Sequence, residues 1–175
     1  MIEAISDYLR HYGRLHKLRR LAPSSAAAVG IGGLTIQSML HEARNKSSNQ
    51  SSFRPADLAN TEGEWRNIDY CLIDEISMVG CYMLARLHKI MTIAKHTPPT
   101  VPFGGINMLF LGDFVQYAPV LDRPLYANIL SNDESFVNTV SENPTRRRII
   151  SEREIQGKVG RALWLQVNKV VFLKQ

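Results

Sequence analysis

Two short apolar runs lead directly into polar groups: Cys71, Leu72 and Ile73, and then Met108, Leu109, Phe110 and Leu111. Unalternating runs of this length predict strands buried on both faces, as in a parallel sheet covered by helices. Elsewhere the spacing is helical. Ile2, Ile5, Leu9 and Tyr12 recur with Asp7, Arg10, His11 and Arg14 between them, which predicts a helix over Ile2–Leu15 that begins straight after Met1 without a capping residue. Met83, Leu84, Leu87, Ile90 and Met91 form a second stripe with Arg86 and Lys89 outward, a pattern of core packing that ends at the TPPTVP of residues 97–102. Leu18–Pro23 predicts a strand whose Arg19 and Arg20 fit an edge position, or a contact with a segment outside this sequence, better than full burial. Ser24 or Ser25 can cap a short Ala-rich helix ended by Gly32-Gly33, and structure resumes over Thr35–Leu40.

The Ser- and Asn-rich stretch from His41 to Glu64 predicts a surface loop, after which Trp65 and Ile68 lead into the central strand. Beyond Val120 the pattern is weaker. It predicts a short helical turn over Leu125–Leu130, a polar loop over Ser131–Pro144, a helix over Arg153–Trp164 and a final strand in VNKVVFLKQ. Strands alternating with helices make the fold class α/β with a mainly parallel sheet. No internal repeat and no second domain are visible in this sequence.

Chemistry enters where the apolar runs end. The first run leads into Asp74 and Glu75, the second into Gly112 and Asp113, with Gln116 and Pro119 following. Ligands of parallel sheets lie beyond the carboxyl ends of the strands, so two strands can deliver polar groups to one site. One carboxylate of an adjacent pair can hold Mg²⁺ while the other orients or deprotonates a water, the Walker B arrangement of nucleoside triphosphatases. The plainer alternative is that Asp74 and Glu75 only cap the next helix, because carboxylates favour helix N-termini.

Composition narrows the partners. At 175 residues and 45% apolar content the chain can bury a real core. A formal charge of +5 suits an acidic partner such as nucleic acid. Arg146, Arg147 and Arg148 could meet a phosphate backbone, although such runs more often face solvent. Cys71 and Cys81 flank the carboxylates, and Cys71 falls within the expected buried strand; a structural disulfide is not expected, and a reducing compartment is. The five histidines show no zinc-ligand spacing with them. No apolar run approaches the ~18 residues of a membrane span, and no signal-peptide core is seen at the N-terminus.

DEISM, then PFGG, then GDFVQYAPV stand in this order at residues 74–78, 102–105 and 112–120. The ordered set closely resembles the Pif-type 5′→3′ DNA helicases of superfamily 1, and within them the helicases of Helitron transposons. The resemblance implies a RecA-like motor domain. In its terms Asp74 holds Mg²⁺, Glu75 positions or activates water, Gln116 senses the γ-phosphate, and Gly112 and Asp113 set that turn. APSSAA and GLTIQS, residues 22–27 and 33–38, resemble the family's motif Ia region, where hydroxyls and amides touch single-stranded DNA; the corresponding residues here are Ser24, Ser25, Thr35 and Gln37. Ser25 replaces the usual glycine and Gln37 the usual histidine, and both can still hydrogen-bond. Tyr117 and Ala118 stand where Leu and Pro are common, a change of packing more than of chemistry.

In the family a GxxxxGK[ST] phosphate loop precedes the first helix; this sequence contains none. Residues 160–175 resemble the segment that closes the first motor domain. The resemblance therefore implies a RecA-like domain truncated at both ends, with the phosphate loop upstream and the second RecA-like domain downstream in the same enzyme. ATP with Mg²⁺, single-stranded DNA and a nuclear location, with the mitochondrion as the alternative compartment, are implied with it. Two rivals stay open: a nucleic-acid-binding remnant without ATPase activity, and a structural α/β domain that acts through protein partners.

Overall fold

The computed structural model describes residues 1–40, 55–127 and 151–173. Its frame is one parallel four-stranded sheet, β1 (Leu18–Ala22), β2 (Leu34–Thr35), β3 (Tyr70–Ile73) and β4 (Asn107–Phe110), in the order β2-β1-β3-β4. The helices are α1 (Ile2–His11), α2 (Ser25–Gly30), α3 (Ile36–Met39), α4 (Pro55–Trp65), α5 (Cys81–Ala94) and α6 (Glu152–Trp164). Between β1 and β3, and between β3 and β4, the chain crosses over through helix, as parallel pairing requires.

Alternation along β3 sorts the core into two layers. Cys71 and Ile73 join a large cluster with Leu84, Leu87, Ile90 and Met91 of α5, Trp65 of α4 and Leu163 of α6. Leu72 instead packs with Ala22, Ala28 and Ile31, against Ile2 and Ile5 of α1. Helices thus cover both faces, and the three apolar residues of β3 are fully buried as their unbroken run predicts. β4 differs from expectation: Met108, Leu109 and Phe110 are only half-buried and Asn107 is exposed, because β4 is the last strand of the described sheet and has a neighbour on one side only.

Several other expectations are corrected. α1 stops at His11, short of Leu15, since Gly13 takes a left-handed φ of 65° and turns the chain; Tyr12 is exposed and stacks on Tyr8. β1 is not an edge strand but lies between β2 and β3. Its arginines are tolerated because β2 pairs only with Leu21 and Ala22, and because Arg19 lies over the Trp65 ring and donates to the Glu64 carbonyl at 2.5 Å. The expected loop before β3 contains α4, begun by a proline and anchored by the buried Thr61 and Trp65; residues 41–54 lie outside the described set. Residues 167–173 form no strand, since no described strand runs beside them, and Val170–Leu173 are exposed. Residues 125–127 make a single turn, with the Ala127 N–H donating to Pro124 O. The remainder of the Leu125–Leu130 turn, the Ser131–Pro144 loop and Arg146–Arg148 lie outside the described residues.

Cys71 and Cys81 are free thiols, and burial pushes the Cys81 thiol up to about 11. Among the described residues no helix is long and apolar enough to cross a membrane.

One buried polar residue ties α5 to the PFGG turn. His88 is almost fully buried; its Nδ1 accepts from the Phe103 N–H at 3.0 Å, and its Nε2 lies 3.2 Å from the Pro99 carbonyl. That pairing needs a neutral imidazole, with the proton on Nε2. Burial holds the folded His88 below its ordinary value of 6.5. Between that value and the lower folded one, the unfolded chain binds more protons, so acid favours unfolding. The thermal midpoint is expected to be level above pH 7 and to fall as pH drops below about 6.5. Midpoints measured from pH 5 to 8 should show a shallower slope for His88→Gln, and an unchanged slope would remove His88 as the cause.

Candidate functional site at the carboxyl edge of the sheet

Because the four strands are parallel, the chain leaves all of them at one edge. In sheet order that edge carries Thr35 on β2, Ser24 after β1, Asp74 and Glu75 after β3, and Gly112, Asp113 and Gln116 after β4. Adjacent strands lie ~4.8 Å apart, so these groups span roughly 14 Å across the edge.

The centre of the row is built from backbone. Asp74 N–H donates to Leu21 O at 2.9 Å, Leu111 N–H to Ile73 O at 2.8 Å, and Ile76 N–H to Leu111 O at 2.9 Å. These bonds carry the pairing of β1, β3 and β4 past their ends into the acidic turn. Glu75 takes a left-handed conformation, φ 52° and ψ 47°, which costs a non-glycine residue roughly 1–2 kcal/mol. Gly112, at φ 140°, lies directly against this turn: a Cβ there would stand 2.8 Å from Ile76 N and 3.3 Å from Glu75 Cα. The two strand ends are therefore in van der Waals contact, and Asp113 follows immediately. Asp113 Oδ1 accepts from the Val115 N–H at 2.9 Å, and its carbonyl accepts from the Gln116 N–H at 3.2 Å. This tight turn leaves Gln116 exposed.

Neither carboxylate serves the next helix. Glu75 makes no side-chain capping bond, and α5 is capped instead by Asp122, whose carboxylate accepts from the Tyr82 and Met83 N–H groups at 3.2 and 3.1 Å. Asp122, forty residues downstream of Tyr82, was not singled out in the sequence, where only its distance along the chain hides it. Glu75 Oε2 is buried without a hydrogen-bond partner, as is Ser77 Oγ two residues on. A buried carboxylate oxygen without a partner is costly, so this atom calls for a donor or a cation. The hard carboxylate oxygens of Asp74 are of the kind that fit Mg²⁺. Among the described residues there is no group of three or more ligating side chains.

The other half of the row is built from helix caps. Ser24, and not Ser25, caps α2 by accepting from the Ala27 N–H at 3.2 Å; Ser25 is exposed. Thr35 caps α3 by accepting from the Ser38 N–H at 3.1 Å, and Gln37 is half-buried in that helix. Both hydroxyls accept in these bonds and keep their own O–H free to donate. The turn between α2 and β2 is held close to β1: a Cβ on Gly33 would lie 2.5 Å from the Arg20 carbonyl, and the Arg20 guanidinium packs over Gly32.

The family model of PIF1-like helicases matches residues 1–140. The chain belongs to the PIF1-like helicase family. Similar relatives include the ATP-dependent DNA helicase PIF1 of Saccharomyces cerevisiae, 32% identical over 114 residues, 65% of this chain and 13% of that protein. The zebrafish (Danio rerio) enzyme of the same name is 29% identical over 122 residues, 70% of this chain and 19% of that protein. The yeast helicase RRM3 is 29% identical over 151 residues, 86% of this chain and 19% of that protein. The chain thus spans less than a fifth of each of these relatives. Among solved structures, Pif1 helicase from Candida albicans matches with a TM-score of 0.51 at 26% identity, over 69% of this chain and 27% of that one. Bacteroides Pif1 bound to single-stranded DNA matches with a TM-score of 0.52 at 22% identity, over 68% of this chain and 27% of that one. The architecture of this PIF1-like chain is accordingly RecA-like α/β.

Proposed function

We propose that this chain is part of the first motor domain of an ATP-dependent DNA helicase that moves 5′→3′ along single-stranded DNA. The observation that carries this reading is the row of polar groups at one sheet edge, with the partnerless Glu75 carboxylate oxygen at its centre. Related proteins support it by name, as ATP-dependent DNA helicases, and Pif1 from Bacteroides has been solved with ADP-AlF4 and with single-stranded DNA.

In this reading the edge divides its labour. Asp74 holds Mg²⁺, which when bound neutralises charge on the ATP phosphates. Glu75 orients the attacking water and takes its proton as the water oxygen bonds to the γ-phosphorus and the bond to ADP breaks. Gln116 hydrogen-bonds the γ-phosphate and reports its loss; Gly112 and Asp113 hold that turn. Ser24, Ser25, Thr35 and Gln37 face the phosphates of single-stranded DNA. The phosphate loop and the second RecA-like domain come from the same enzyme outside these 175 residues, and the setting is nuclear.

Two measurements on this chain test the reading. Anisotropy of a labelled oligo(dT) should show weak binding that falls as salt rises, because each neutralised phosphate releases counterions. Gln37→Ala should weaken it, and Glu75→Gln should leave it unchanged. Steady-state ATPase with the same DNA should stay at background for both the parent chain and Glu75→Gln, since no phosphate loop is present to hold the β- and γ-phosphates. Binding that ignores salt would sink the DNA track. Turnover abolished by Glu75→Gln would overturn the claim that these residues need the rest of the enzyme. If an extended chain bearing a phosphate loop and a second motor domain still hydrolysed no ATP, the rival reading of a DNA-binding remnant would stand.

A further inference from the structure

Gln116 sits in a segment with almost no secondary structure of its own. Residues 112–118 are exposed, Val115 at 90% and Tyr117 at 69%. A residue that must meet a phosphate oxygen at hydrogen-bond distance needs its backbone held far more firmly than that exposure implies. Phe114 supplies the hold. Its ring meets Trp164 edge to face, centroids 5.6 Å apart at 74°, and meets Tyr126 at 5.7 Å and 86°. Trp164 in turn lies on Phe110 of β4 at 5.4 Å, and Phe110 on Phe103 at 6.2 Å. A continuous file of rings therefore runs from the PFGG turn, along the face of the sheet that α5 and α6 cover, to the residue two places before Gln116.

Trp164 is the last residue of α6, and α6 is fixed to the same segment at two further points. Arg153 donates to the Leu121 carbonyl, and Arg161 to the Leu125 carbonyl. Leu125 is fully buried, and Asp122 between them caps α5. The connection that carries Gln116 is thus suspended from α5 and α6, which carry none of the site residues identified in the sequence.

We infer that Trp164 is a positioning residue for Gln116, acting through Phe114: the indole clamps the start of the turn and so sets where the Gln116 side chain can reach. This rests on the proposed role of Gln116 at the γ-phosphate, but the clamp itself is testable without nucleotide.

Amide hydrogen exchange on the 175-residue chain reads it directly. Trp164→Ala should speed exchange at Val115 and Gln116 by about tenfold, the size expected when one aromatic contact is lost, and leave β3 amides unchanged. Trp164→Phe, which keeps a ring at the contact, should restore most of the protection. Phe114→Leu should reproduce the loosening from the other side of the contact, should Trp164→Ala fail to fold. Leu163→Ala, a buried neighbour on α6, should lower the thermal midpoint without singling out the turn. The inference is overturned if the turn exchanges no faster in Trp164→Ala and Phe114→Leu, or if Leu163→Ala loosens it equally. A turn that loosens as expected in a chain without DNA binding would uphold the clamp and sink the proposed function; DNA binding with an indifferent turn would do the reverse.

Discussion

Gly160→Ala is expected to lower the thermal midpoint by about 6–12 °C, the equivalent of roughly 3 kcal/mol in a chain of this size. Alanine is ordinarily the better helix former, by about 1 kcal/mol over glycine in a helix interior. Here packing reverses the sign. A Cβ on Gly160 would stand 1.8 Å from the Cys81 carbonyl oxygen and 2.6 Å from its carbon. Both are backbone atoms, so no rotamer change relieves the overlap. Cys81 cannot retreat easily either: its N–H donates to Arg123 O at 2.9 Å, and the next two N–H groups donate to Asp122. α6 would have to lift from α5, uncovering Leu163 and drawing Trp164 off Phe110. Gly157, one turn earlier on the same helix, is the control, since a Cβ there meets nothing within 4 Å. Gly157→Ala should stabilise by up to about 1 kcal/mol. Equal midpoints for the two variants would show that α6 does not cross α5 as closely as the structure places it.

The second large effect is expected at the site. Gly112→Ala should cost about 2–3 kcal/mol and should act first on the acidic turn. Two penalties coincide there. The φ of 140° belongs to a region occupied almost only by glycine, and the added Cβ would come within 2.8 Å of Ile76 N. Relief requires Gly112 to part from Glu75 and Ile76, which breaks the Ile76 N–H bond to Leu111 O. Exchange of the Ile76 amide is therefore expected to rise more than that of Leu72 in mid-strand. Gly105, at φ 79° with its nearest contact at 4.0 Å, has the strained backbone without the collision. Gly105→Ala should cost about 1 kcal/mol. If the two substitutions destabilise equally, contact between the strand ends contributes nothing measurable.

The gap between these variants and the motifs shows where sequence reading stops. Cys71, Leu72 and Ile73 announce their burial because a strand covered on both faces leaves no position for a polar residue, a rule that acts within a few residues. The same locality makes the Ser24 region legible as a capped helix and the Met83–Met91 stripe as core. Parallel pairing then carries Asp74, Glu75, Gly112, Asp113 and Gln116 to one edge, so much of the candidate site follows from two apolar runs and the residues after them.

Other features depend on partners far along the chain. α4 read as loop because its Ser- and Asn-rich approach masked a proline start, and its hold on the fold comes from Trp65 beneath Arg19 of β1. VVFL reads as a strand, yet β-propensity needs a neighbouring strand to hydrogen-bond, and none of the described strands lies beside it.

By itself, then, the sequence determined the α/β class, the buried central strand and the edge at which its polar groups emerge, because periodicity and chain direction are local properties. Only the tertiary structure decided that Asp122 caps a helix forty residues before it, that Gly160 must be bare for α6 to cross Cys81, and that Trp164 holds Phe114. Each of those is a meeting of two distant segments, and which segments meet is set by the packing of the whole core.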